Sequence, residues 1–179
     1  IGQADVAVVA LPDAGPDAPP YRPALIHTVT PDYDAAFGIA VRRGRSFNAT
    51  DNMSGQPVAL VNETMARTYW SDANVIGKTM VRLGDPRPFT IVGVMADVRQ
   101  AGLAGPPTPT FYVPVAQAEQ PVRSLVFVTR TSVDPVLLAP DVRRILSEAD
   151  NTLPVFALQT GEHLVSASIA PQRFNMFVV

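Results

Sequence analysis

Gly77-Lys78-Thr79 carries the residue types that end a phosphate-binding loop: glycine for close backbone approach, lysine for charge, a hydroxyl for a metal ion. The full pattern needs a second glycine at the place held by Asp72, whose carboxylate repels phosphate. Lys78 and Thr79 also lead into an alternating, strand-like segment, so a helix N-terminus that would hold the anion is missing. A turn glycine ahead of a strand is the simpler expectation. The two histidines, His27 and His163, fall on different predicted elements, and neither has a metal-binding residue at ligand spacing beside it. A serine nucleophile wants a Gly-x-Ser-x-Gly elbow, which the chain does not contain; Ser46 and Ser54-Gly55 read as loop and turn residues. A paired-carboxylate mechanism would draw on Glu63, Asp51 and Asp97. Each has a simpler local role: Glu63 at the positive end of a helix dipole, Asp51 as a turn or cap residue, Asp97 in a pair with Arg99. The absence of cysteine excludes disulfides, thiolate metal sites and cysteine nucleophiles. The reading is therefore of a chain with no catalytic residue, no cofactor-binding residue and no metal site.

Two further patterns have structural readings. Asn48-Ala49-Thr50 and Asn62-Glu63-Thr64 fit the glycosylation acceptor triplet, but Asn62 already stands where a helix needs its cap. Tyr69-Trp70 and Phe111-Tyr112 suit either a partner contact or a core position, and core is the commoner use.

The elements that would position these residues follow from hydrophobic period and breakers. Asp5–Leu11 and Ala24–Val29 read as strands that can pair as a hairpin across the proline-rich connector Pro12–Pro23. Thr30-Pro31 starts a short helix, with Thr30 as cap, that stops at Gly38. Ile39–Val41 is a brief strand, and Ser46–Gln56 is loop. Pro57–Val61 is a strand; Asn62 then caps a helix with Met65, Tyr69 and Trp70 on one face. Asp72–Gly77 turns the chain, and Lys78–Leu83 with Phe89–Val94 forms a hairpin around Gly84-Asp85-Pro86. Ala101–Pro109 is loop, and Phe111–Val115 is a strand that Pro114 marks as an edge or an end. Ser124–Arg130 reads as a strand. Asp134-Pro135 opens a helix, distorted near Pro140, with the stripe Leu138, Val142, Ile145, Leu146 and Ala149. Pro154–Leu158 reads as the last strand, Thr160 starts a helix bearing Leu164 and Ile169, and Pro171 begins another.

The expected fold class is α+β with two lobes. A ferredoxin-like βαβ/βαβ porter-type lobe would come from residues 1–44 and 116–170. A mixed α/β lobe, 45–115, would be inserted in it, and 171–179 would start a membrane-proximal helix. The chain has 179 residues, enough for one domain or two small lobes. Net charge is −2, which argues against a nucleic-acid footprint. Charged residues make up 17%, against roughly 25% in average soluble proteins. With 18 prolines, that suits either a module lying against other protein or a stiff-looped monomer. The apolar run Phe174-Asn175-Met176-Phe177-Val178-Val179 is expected to be the start of a hydrophobic segment, an ordinary buried helix being the other reading.

Several phrases, in order, resemble the extracytoplasmic core domain of MacB-type permeases, of the FtsX/MacB-type permease family. They are Thr28-Val29-Thr30-Pro31-Asp32-Tyr33; Gly44-Arg45-Ser46-Phe47 with Asp51; Val58-Ala59-Leu60-Val61-Asn62-Glu63 with Ala66; Val75-Ile76-Gly77-Lys78; Ile91-Val92-Gly93-Val94 with Asp97-Val98-Arg99; and Phe111-Tyr112-Val113-Pro114. The proline-rich wording also resembles duplicated permeases of acidobacterial type. The resemblance implies an extracytoplasmic domain of a bacterial inner-membrane ABC permease that transmits motion or contacts partners outside the membrane. It implies partners: the permease's own transmembrane helices, a second permease copy, a cytoplasmic ATPase domain that does the ATP hydrolysis, and a periplasmic adaptor. It brings no catalytic residues. Gly44, Arg45, Asn62, Glu63, Gly77, Gly93, Asp97 and Arg99 are expected to be structural. The alternatives are a ligand-binding sensor domain of a membrane receptor and, third, an enzyme.

Overall fold

The computed structural model describes residues 5–12, 19–70, 74–98, 106–118, 126–151 and 158–163. Seven strands appear in chain order: β1 (Asp5–Ala10), β2 (Arg22–Val29), β3 (Val41–Gly44), β4 (Val58–Asn62), β5 (Thr79–Arg82), β6 (Asp85–Met95) and β7 (Thr110–Pro114). Among the described residues they are accompanied by the α-helices α1 (Tyr33–Phe37), α2 (Glu63–Tyr69) and α3 (Ala139–Ala149). The chain divides into two compact units, Ile1–Gln100 with Gly105–Val128, and Ala101–Ala104 with Thr129–Val179.

The first unit is a closed barrel. Its strand order is β3-β6-β4-β7-β2-β1-β5, and β5 also pairs with β6, which shuts the ring. The length of β6 makes this possible. One edge gives residues 85–90 to β5 and residues 93–95 to β3, while the other edge pairs in parallel with β4. Register shifts interrupt each of these three pairings, and such bulges supply the bend that closure needs. β1 pairs antiparallel with β2, as the hairpin pattern predicts, and reaches β5 through Val9 and Ala10.

This barrel replaces the expected ferredoxin-like sheet. β1 and β2 pair with β5 and β7, strands from the segment expected to form an inserted lobe. In the first half the local pattern of strand, helix and strand holds as β2, α1 and β3, but pattern alone does not say which edge meets which. The cap of α1 also differs. Thr30 accepts through its backbone oxygen, Asp32 holds the cap position without a side-chain bond, and Gly38 ends the helix at φ 67°. Residues 126–130, expected to be in a strand, are exposed and irregular. Their alternation is a strand pattern, but among the described residues no neighbour pairs with them, and a strand is stable only when paired.

Two cores lie against the sheet. The central strands feed both, which is why they read as nearly unbroken apolar runs. From β4, Ala59 and Val61 enter one core while Val58 and Leu60 enter the other. From β7, Phe111 and Val113 go one way and Tyr112 the other. The first core takes Met65, Ala66, Tyr69 and Trp70 from α2. Helix and sheet are bolted there by Tyr69, whose hydroxyl donates to the Pro23 carbonyl, and by Arg22, which donates to the Tyr69 carbonyl at 2.9 Å. Burial raises the Tyr69 phenol above its ordinary pKa, although the Arg22 charge acts in the opposite direction. The second core is capped by Phe47, Tyr33 and Ile39. His27 is buried and stacks on Tyr112 at 5.5 Å.

In the second unit, Asp134 accepts from the Val136 N–H and Pro135–Leu138 forms a 3-10 turn that passes into α3. The change of winding falls next to Pro140, whose ring cannot donate to the preceding turn. The Thr160 hydroxyl accepts from the His163 N–H, as a cap should. The Pro154–Leu158 strand, apart from Leu158, lies outside the described residues, as do Leu164, Ile169 and all of 171–179. No helix among the described residues is long and apolar enough to cross a membrane.

Candidate functional site

The polar residues singled out in the sequence fall at the β4–α2 junction, just past β6, and in the loop before β4. At the start of α2, the Asn62 side chain accepts from Met65 N–H at 2.9 Å and Thr110 N–H at 3.0 Å, and donates to the Thr108 carbonyl at 2.9 Å. One side chain thus caps the helix and ties it to β7. Asp97, just past β6, accepts from Thr64 N–H and its hydroxyl, each at 2.8 Å, and from Arg67 at 3.1 Å. Two helix N–H groups that would lack partners are so satisfied. Glu63 lies in the first turn and meets Arg42 only at 4.0 Å. Arg99 lies outside the described residues, so the predicted Asp97–Arg99 pair cannot be placed; the described partners of Asp97 are on α2.

The glycines mark close approaches. Gly44 of β3 faces Gly93 of β6 in register. A Cβ on Gly44 would stand 2.2 Å from the Val92 carbonyl oxygen, and one on Gly93 would stand 2.4 Å from that of Arg45. Gly44 also has φ +74°. Gly77 is different: φ is +82° but the space around it is open. Its N–H donates to the Ile91 carbonyl, and the chain enters β5 and not a helix, which removes the phosphate-loop reading.

The loop from Arg45 to Gln56 is fixed from three sides. Arg45 forks onto Asp51 at 2.7 and 2.8 Å, and Asp51 also accepts from Asn48 N–H. The hydrogen bond from Arg45 holds the Asp51 carboxyl below its ordinary pKa, against the opposing effect of burial. The Ser46 hydroxyl donates to Asp34 at 2.7 Å. From beyond β7, the buried amide of Gln117 donates to the Asn52 and Gln56 carbonyls and accepts from Val58 N–H. Asn48 and Asn52 close tight turns onto Thr50 and Ser54. The result is a rigid loop whose tip presents Met53 to solvent. Gln117 gave no warning in the sequence, because a glutamine after a strand is ordinarily a surface residue. Asp85, buried beneath Arg87 and Arg82 at the β5–β6 turn, was visible only as a turn residue.

Asp51→Asn is expected to cost about 1–2 kcal/mol at pH 7, the size of a charge-assisted bond with a half-exposed partner. The folded pKa is depressed. The stabilisation is therefore full above the ordinary carboxylate value and is lost as pH falls through the folded one. Urea unfolding at pH 7 and at acid pH should show wild type and variant converging on acidification; a gap that stays constant would mean the bond carries no charge-linked stability.

None of these groups converges on a common reacting point. His27 is stacked in the core, His163 is exposed in the second unit, and among the described residues no three acidic or imidazole side chains could hold a metal ion. An open recess of about 330 Å³ lies along β1, β2 and the end of β5, bordered by Asp5, Val6, Thr28, Arg82 and Leu83.

The model of the MacB-like periplasmic core domain matches residues 5–145. The chain belongs to that family. The MacB-like domain is thus an extracytoplasmic one. Its fold resembles the periplasmic region of MacB from Actinobacillus actinomycetemcomitans, with TM-score 0.59, 14% identity and coverage of 82% of this chain and 64% of that one. A permease-protein domain from Porphyromonas gingivalis gives TM-score 0.50 at 16% identity, covering 80% and 63%. The extracellular domain of the noncanonic ABC-type transporter YknZ from Gram-positive bacteria gives 0.47 at 17%, covering 63% and 51%. The MacB-like domain therefore spans at most 64% of the length of these solved domains. No curated protein sequence gave a significant match.

Proposed function

We propose that this domain is the outward-facing part of an ABC-type export permease, where it transmits motion or contacts partners and does no chemistry of its own. The family match over residues 5–145 carries the reading. Its polar groups support the second half. Asn62, Asp51, Asp97 and Gln117 each spend their hydrogen-bonding capacity on backbone and neighbouring side chains, which stiffens the fold and leaves none of these four poised as an acid, base or nucleophile. The partners are the permease's own transmembrane helices, a second permease copy, a cytoplasmic ATPase domain and a periplasmic adaptor.

The parent gene tests this directly. Apolar segments of about 20 residues should flank the domain, with two more downstream. A soluble domain on either side would reject the permease and favour a ligand-binding sensor, for which the recess beside Arg82 is the place to look.

A further inference from the structure

We propose that Met53 is, among the described methionines, the selective oxidation site, so that peroxide changes the polarity of one rigid loop tip and leaves the fold intact. Four methionines fall among the described residues. Met65, Met80 and Met95 are each 0% exposed, whereas Met53 is 61% exposed. A thioether reacts only where oxidant can reach the sulfur. A sulfur lone pair attacks one peroxide oxygen, the O–O bond breaks, and the other oxygen leaves as water after taking up the proton. Sulfur is oxidised to the sulfoxide and peroxide is reduced. The three buried sulfurs must wait for local opening of the cores they fill.

The location and the setting of Met53 both matter. An extracytoplasmic domain meets peroxide before the cytoplasm does. The loop's conformation rests on Arg45, Asp51 and Gln117, and the thioether takes no part in those bonds. Adding oxygen there makes the one large apolar side chain of a polar tip polar as well, without removing any support, whereas the same change at Met65 would place a polar group in the first core.

The test exposes the 179-residue chain to dilute hydrogen peroxide and follows each methionine peptide by mass spectrometry. The Met53 peptide should gain one oxygen at least about tenfold faster than those of Met65, Met80 and Met95. Chain oxidised at Met53 should unfold within about 2 °C of the untreated chain. Met53→Leu should leave the three slow rates unchanged. A buried methionine reacting as fast as Met53 would overturn the proposal. So would unfolding on oxidation at Met53, or slow rates that rise in the variant.

Discussion

Gly44→Ala is expected to destabilise the domain by about 4 kcal/mol, the sum of a left-handed conformation for alanine and an overpacked strand contact. The added methyl would meet the Val92 carbonyl oxygen at 2.2 Å and the Gly93 Cα at 2.8 Å. Both are backbone atoms of β6, which is held on its far edge by β4 and cannot step back. Gly77→Ala is the control. Its φ of +82° is as unfavourable, but nothing lies within 4 Å of the added methyl, so the cost should be only about 1 kcal/mol. Thermal unfolding should separate the two by about 6–12 °C. Equal losses would mean that backbone angle alone matters at Gly44 and that β3 does not approach β6 so closely.

Asn62→Ala should cost about 3–4 kcal/mol. The side chain is 1% exposed and joins α2 to β7. Its removal leaves the Met65 N–H, which the cap satisfies, and the Thr110 N–H buried without that acceptor, at about 1–3 kcal/mol each. Water entering the cavity would hold the total to the lower part of that range. Asn62→Asp distinguishes the two halves of the role. It keeps the acceptor but sets a carboxylate against the Thr108 carbonyl that the amide now donates to. Its stability should therefore rise as pH is lowered and the carboxyl can donate again. Denaturant midpoints across pH 4–8 would decide it; a flat profile would show that the contact to Thr108 is dispensable.

Where neighbours in sequence are also neighbours in space, the fold could be read from residue patterns. The β1–β2 and β5–β6 hairpins, the cap of α2 and its buried face were all legible, because each depends on segments that follow one another directly in the chain. The barrel was not. Val9 meets Arg82 across a ring that no local alternation describes. Residues 126–130 alternate well and still form no strand, since alternation reports a capacity to pair and not the presence of a partner. At the candidate site the glycines and Asn62 stood out by type. Gln117 did not, because its importance comes from three backbone groups, two on a loop distant in sequence and one at the start of β4. Asp97 was recognised, but its described partners Thr64 and Arg67 lie on a helix distant in sequence.

Closure of the sheet decides how the domain would answer a pull. In an open sheet a pull on one strand can be relieved by shear along a single line of hydrogen bonds. Here β1 is gripped by β2 on one side and by β5 on the other, and both lines lead round to β6. Neither can slip without straining the other. A tug applied at β1 should therefore turn the ring as a stiff hoop, and reach the β3–β6 contact with little lost to stretching on the way.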